Sequence, residues 1–283
     1  MHFKQEKVQH KDQILTSFTS ALSVNRRFEF QKEKEKYASL VQNAKSNLLR
    51  EHKSIGRYGW KGANKMEKLK EKFNLLFESE NKEETVQFIL DKLKNKEIDV
   101  IDLYMNILTP ALNHMKCNLE DKYICIWKEH VKTAIVRTIV ECCFPYVIEK
   151  KNEMNCGNRG TVVVLCPPEE YHDLGARMVS DFFTMCGCNS IFIGSNTPYE
   201  DFYNAIHIIR PSIVAISVSN YYNLVVTKKM IEDLKKIIEY PLKIVVGGNA
   251  FHDDLTKFKK VGADYYAISY QDIVNIVSSE VTI

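Results

Sequence analysis

From Gly160 onwards, five short and almost uninterrupted apolar runs alternate with amphipathic stretches, and that rhythm leaves few folds open. The runs are TVVVLC at 161–166, SIFIG at 190–194, SIVAIS at 212–217, KIVVGG at 243–248 and YYAI at 265–268. Strands that lack an alternating polar face are buried on both sides, as in a parallel sheet covered by helices. The stretches near 173–185, 198–209, 223–239, 251–260 and 270–279 have the spacing to supply that cover. The pattern predicts an α/β fold with a flavodoxin-like, doubly wound, five-stranded parallel sheet of order 2-1-3-4-5. Ligands of such a sheet bind beyond the carboxyl ends of the strands, where strands one and three diverge.

Upstream of the sheet the period is helical. EETVQFILDKLKNKEID places Val86, Ile89, Leu90 and Leu93 on one face, and VIDLYMNILTPALNHM does the same with Leu103, Ile107, Leu108, Ala111 and Leu112. A third helix starts near Tyr123 with ICIWKEHVKTAIVRTIVECC, where Trp127, Val131, Ala134 and Ile135 are expected to be buried. Short polar joints favour an antiparallel bundle of about four helices. The polar stretch EKKNEMNCGNRG, Glu149 to Gly160, breaks both periods and reads as a domain boundary. The expected division is 1–78, a basic and mainly helical segment, 79–155, the bundle, and 156–283, the sheet domain.

Charge separates these parts. Residues 1–75 hold 17 Lys and Arg against 8 Asp and Glu, whereas the remainder holds 22 against 28, inside a net charge of +3. The stretch SIGRYGWKGANK, Ser54 to Lys65, reads as a basic, aromatic-bearing loop, so nucleic acid is a candidate partner of the N-terminal segment. No run approaches the roughly 20 apolar residues of a membrane helix, and the start lacks the apolar core of a secretory signal. A cytoplasmic protein without membrane attachment is the expectation. The eight cysteines, at 117, 125, 142, 143, 156, 166, 186 and 188, include no C-x-x-C pair of the zinc type and read as free thiols.

Three strand ends carry the polar equipment of the crevice. The loop after the first strand, CPPEEYHDLG, holds Glu170, His172 and Gly175, the third strand runs into Ser217 and Ser219, and the fourth ends in Gly247 and Gly248. A G-x-G-x-x-G fingerprint, a phosphate-binding P-loop and a G-x-S-x-G elbow are all missing from these ends. What the loop offers is a histidine, the commonest metal ligand, with a carboxylate two residues before it that can orient the second ring nitrogen. A histidine on a loop is most often simply solvated, and a glycine pair can be only a tight turn, so the loop by itself leaves both readings open.

The three elements together resemble a known family. Glu170-Tyr-His172-Asp-Leu-Gly175, 41 residues, Ser217-Val-Ser219, 27 residues and Gly247-Gly248 are similar to the cobalamin-binding motif D-x-H-x-x-G…S-x-L…G-G. The resemblance implies cobalamin as cofactor, bound with its own base displaced and His172 as the lower axial ligand of cobalt. Ser217, Ser219, Gly247 and Gly248 would line the slot for the nucleotide tail. Glu170 replaces the usual aspartate, and Ser219 the usual leucine. The preceding helices look like the cap that covers the upper face of the corrin in methionine synthase-like and light-sensing proteins, and the resemblance spans about residues 78–283.

Within that cap, Glu129-His130 matches an E-H pair of MerR-type, light-responsive adenosylcobalamin regulators. The tryptophan those proteins carry ten residues before the glutamate is Leu119 here. The E-H pair directs the expectation to a non-enzymatic cobalamin-dependent sensor or regulator, adenosylcobalamin- or light-responsive, in which the upper ligand shifts a conformational equilibrium. The alternative is a corrinoid carrier subunit of a methyltransferase system, working with methylcobalamin. Either would act as a homo-oligomer or with a partner protein, and no barrel-sized catalytic domain fits into 283 residues.

Overall fold

The computed structural model describes residues 59–115, 122–254 and 256–279, with side chains from 65 in the first range and from 126 in the second. Leu119 and the N-terminal stretch up to 58 lie outside the described residues. Chain contacts divide the protein into Met1–Lys68 and Leu69–Ile283, and the second unit contains the sheet and every helix described below from Lys82 onwards.

Helix α1, Gly59–Glu78, begins inside the stretch expected to be a loop. Gly59 and Gly62 weaken a helix by only about 1 kcal/mol each, and both lie in its first turn or so. Phe73 and Phe77, one turn apart, stack at 5.3 Å and are buried. α2, Lys82–Lys94, is capped by Asn81, whose side chain accepts from the Glu84 amide, and buries Thr85, Ile89 and Leu93.

The next helix is interrupted. α3, Val100–Leu103, widens into a π segment at Tyr104–Leu108 before α4, Thr109–Asn113. The Thr109 amide bonds back five residues to the Tyr104 carbonyl. Pro110 supplies the reason: it donates no hydrogen bond, and its ring needs room at the carbonyl four residues before it, which a wider turn provides. The extra residue rotates the apolar face. Leu103, Ile107 and Leu108 are buried as expected, whereas Ala111 and Leu112 are only partly covered, and Leu112 faces a cavity.

α5, Lys122–Cys142, buries Ile135, Val136, Ile139 and Val140. The expected burial of Trp127, Val131 and Ala134 is corrected: Trp127 is 50% and Val131 36% exposed, and Ala134 is exposed as well. Lys128 lies over the Trp127 ring at 5.3 Å, so water and a cation cover it in place of a core. α6, Phe144–Met154, runs well into the stretch read as a boundary and stops at Asn155, which takes the left-handed conformation at φ 45°.

The sheet has order β2-β1-β3-β4-β5 with all pairs parallel. Its strands are β1 Thr161–Leu165, β2 Asn189–Gly194, β3 Ile213–Ser217, β4 Lys243–Gly247 and β5 Tyr265–Tyr266. Between them run α7 Leu174–Met185, α8 Tyr199–Ile209, α9 Leu224–Ile237 and the short α10 Lys257–Lys260, with α11 Tyr270–Ser278 last. The helix expected over 251–260 shrinks to a 3₁₀ turn, Asn249–Phe251, and that single turn of α10. One face of the sheet packs Phe202, Ile206, Met230 and Leu234 onto Val163, Val214 and Ile244. Among the described residues no helix is long and apolar enough to cross a membrane.

Phe202 is fully buried in that cluster. Phe202→Ala is expected to cost about 3–5 kcal/mol through lost burial and the cavity left behind. A urea titration followed by circular dichroism would show it as a lower midpoint at unchanged slope.

Candidate cofactor site at the carboxyl ends of the strands

The loop leaving β1 is held in shape by its neighbours. The Glu170 amide bonds the Pro167 carbonyl to close a turn, and Glu169 takes a positive φ of 62°. Asn196, beyond β2, accepts the Glu169 amide at 2.9 Å and donates its own amide to the Glu170 carbonyl at 3.0 Å. The loop therefore arrives at Glu170 with little freedom, and the side chain turns inward: Glu170 is 1% exposed.

A buried carboxylate needs donors, and Glu170 has them on both oxygens. Oε1 accepts the His172 backbone amide at 3.2 Å and the His172 ring Nδ1 at 2.6 Å. Oε2 accepts the amides of Ser219 at 3.0 Å and Asn220 at 2.8 Å, together with the side-chain amide of Asn223 at 3.1 Å. Burial opposes the charge, but the His172 ring, the backbone amides and Asn223 outweigh it and bring the carboxyl down to about 2. The same contact raises the His172 ring above its usual value, against its own partial burial, with Glu170, Glu129 and Asp173 adding their charges.

An ionised Glu170 fixes the neutral histidine tautomer. The proton sits on Nδ1, facing the carboxylate, and the lone pair sits on Nε2. The His172 side chain is 65% exposed and lines a cavity of about 810 Å³. That cavity is also lined by Gly175, Ser217, Ser219, Gly247 and Gly248, while Glu170, buried and bonded to the His172 ring, does not line it. Met105, Leu112, Glu129 and His130 line it from the helical side. Glu129 and His130 are exposed to the cavity, which separates them from core residues. Trp127 does not line it.

The glycines divide into two kinds. A Cβ on Gly248, at φ 100°, would lie 2.4 Å from the Val218 carbonyl oxygen, and one on Gly247 would lie 2.7 Å from that of Ala267. These two are required by the approach of backbone from β3 and from beyond β5. A Cβ on Gly175 would meet nothing within 4 Å, so the space beside it is kept clear of protein. Asn223 is the participant that the sequence reading missed: it sits in the 3₁₀ turn Tyr221–Asn223, buried, with no motif around it. Burial, with the charges of Glu170 and Asp173, pushes the Cys166 thiol up to about 12, so it offers no nucleophilic thiolate beside the histidine.

A carboxylate-oriented histidine, a clear floor and a helical roof at the switch point of a doubly wound sheet make a cavity with room for a large cofactor and one imidazole open to it. Residues 160–275 match the B12 binding domain family. The chain is 24% identical over 181 residues to trimethylamine corrinoid protein 1 of Methanosarcina acetivorans, covering 64% of this chain and 82% of that one. With trimethylamine corrinoid protein 2 of Methanosarcina mazei it shares 25% over 136 residues, 48% of this chain and 61% of the relative. Its fold is similar to that of the Methanosarcina barkeri monomethylamine corrinoid protein, at a TM-score of 0.64 and 15% identity over 76% of this chain and 99% of that one. The chain carries a cobalamin-binding domain over residues 160–275, and cobalamin is its cofactor.

The lowered pKa of Glu170 makes the cofactor-free protein sensitive to acid. The stabilising contribution of that carboxyl is complete above the ordinary value of 4.5 and is lost as pH falls through about 2. Relative to Glu170→Gln, the natural protein should lose about 3 kcal/mol over that window. Denaturant titrations of both proteins at several acid pH values check the difference, and parallel curves would show that Glu170 is not held ionised.

Proposed function

We propose that this protein is a corrinoid carrier subunit of a methyltransferase system. The observation that carries the reading is the reach of its similarity. The 181 residues shared with a trimethylamine corrinoid protein exceed the matched B12 domain and so include part of the preceding helices, the region that would distinguish a carrier from an isolated binding domain. Residues 79–155 then act as the cap and 156–283 as the cobalamin-binding domain.

In this reading His172 would hold cobalt through Nε2, with Glu170 keeping the ring in register. Gly175 would leave room for the corrin, and Ser217, Ser219, Gly247 and Gly248 would border the nucleotide tail. When bound, cobalamin supplies a cobalt centre able to accept and release a methyl group. The chain's own task is to orient one imidazole, to exclude water from the lower face and to present the upper face beneath a removable roof. Glu129 and His130 face that upper side.

The same pair sustains a second reading, a cobalamin-dependent sensor, because an upper ligand touching Glu129 and His130 would alter the contact between roof and sheet. The corrinoid-protein relatives favour the carrier over it. Catalysis of methyl transfer belongs in the carrier reading to a partner methyltransferase.

Protein mixed with hydroxocobalamin is expected to show a base-off, His-on absorption spectrum, and His172→Ala to lose it with a weakening of binding of tenfold or more. Loaded with methylcobalamin, the protein should surrender its methyl group to a thiol acceptor only when a cognate methyltransferase is added. The adenosylcobalamin complex should elute unchanged from a sizing column after illumination; a change in oligomeric state on illumination would favour the sensor.

A further inference from the structure

Away from the cavity, one polar pair is sealed between the cap helices and the α/β part. Tyr104 opens the π segment and is fully buried; its hydroxyl donates to Asp181 Oδ2 at 2.9 Å, in the middle of α7. Asp181 is 2% exposed. The surroundings are apolar and aromatic: Phe182 lies 5.8 Å from the Tyr104 ring and 5.3 Å from Tyr270 of α11. A lone buried carboxyl at a junction between two layers is expensive to keep ionised, and apolar residues of the same size would pack there without that cost.

We propose that the Tyr104–Asp181 pair is a proton-controlled joint, in which uptake of one proton by Asp181 fastens the cap helices to the α/β part and its release loosens them. Two hydrogen-bond arrangements are available at this spot. With Asp181 ionised, Tyr104 donates to it. With Asp181 protonated, the carboxyl donates to the Tyr104 oxygen, and the tyrosine hydrogen turns to the Val140 carbonyl, 3.5 Å away. Only the second leaves no charge inside the junction.

The groups facing Asp181 are few. The π segment contributes Tyr104, α5 contributes Glu141, the α5–α6 joint contributes Cys143, and α7 itself contributes Arg177 one turn earlier. Arg177 is engaged with Glu141 at 3.3 Å, which leaves its charge only partly available to Asp181. Burial and Glu141 favour the neutral acid, Tyr104 and Arg177 favour the ion, and burial wins: the carboxyl rises to about 6. The Cys143 thiol is pushed up as well, chiefly by burial, and remains neutral.

The sign follows from linkage. The docked state holds the proton with an acidity of about 6, and an undocked, hydrated Asp181 with the ordinary 3.8. Undocking is therefore rarest below 3.8, becomes more frequent as pH rises through that window and levels off above 6. Between pH 5 and 7 the opening equilibrium should increase about tenfold.

Hydrogen exchange on the full-length, cofactor-free protein, corrected for intrinsic rates, tests this. Protection of amides in 100–113 should fall about tenfold from pH 5 to 7, while those of β3 at 213–217 hold steady. Asp181→Asn should flatten the dependence. Tyr104→Phe, which removes the donor favouring the ion, should carry the rise on to a higher pH before it levels off. Equal loss in cap and sheet, a slope that survives in Asp181→Asn, or an unmoved levelling-off in Tyr104→Phe would each overturn the joint.

Discussion

The Glu170 carboxylate is the interaction on which the site depends. Five donors from two loops meet on its two oxygens, and without them a charge at 1% exposure would not persist. The loop after β1 and the loop after β3 lie on neighbouring strands that diverge at their carboxyl ends, and Glu170 spans that divergence. One side chain holds the histidine on its own loop and the amides of the other loop at the same time. His172 is thereby aimed by the sheet itself, through Ser219, Asn220 and Asn223, and not by its own loop alone.

The glycine pair shows how a packing demand and a binding role can share residues. Gly247 and Gly248 border the cavity, yet each is already required by protein: their missing side chains admit the carbonyls of Ala267 and Val218. Apolar spacing and the strand end suggest that such a pair serves a ligand's approach, whereas the close carbonyls give the two glycines a packing cause of their own. Gly175 is the reverse case, since nothing in the chain explains its lack of a side chain.

The sheet, its order and the residues at its strand ends were legible because a doubly buried strand leaves an apolar run, and because loops at the switch point must carry whatever chemistry the fold performs. Asn223 was not legible: six residues beyond β3, its amide matters only because the turn at Tyr221 folds it back onto Glu170. The turn of the helical face at Tyr104–Leu108 was foreshadowed by Pro110, but a periodic count cannot register one inserted residue. Trp127, Val131 and Ala134 misled for a different reason. Apolar spacing says that a face could be buried and leaves open whether a partner element is there to cover it.

Tyr104 and Asp181 stayed hidden because each sits in a pattern that reads as ordinary amphipathic helix, and only their meeting gives them meaning. Their junction differs in kind from the other ties between cap and sheet domain. Arg137 pairs with Asp173 at 2.6 Å and Arg177 with Glu141 at 3.3 Å, both partly in water, where such pairs contribute at most about 1 kcal/mol. The Asn113–Asn249 contact at 3.2 Å, across the cavity, is exposed as well. These ties place the roof but hold it lightly, and Asp173, next to His172, links the roof to the ligand loop through Arg137. The sealed pair is the one polar tie among these that water cannot replace without undocking the helices. Asp181 lies on α7, whose first residue, Leu174, follows His172 by two positions, so the sealed pair and the histidine loop adjoin through one helix.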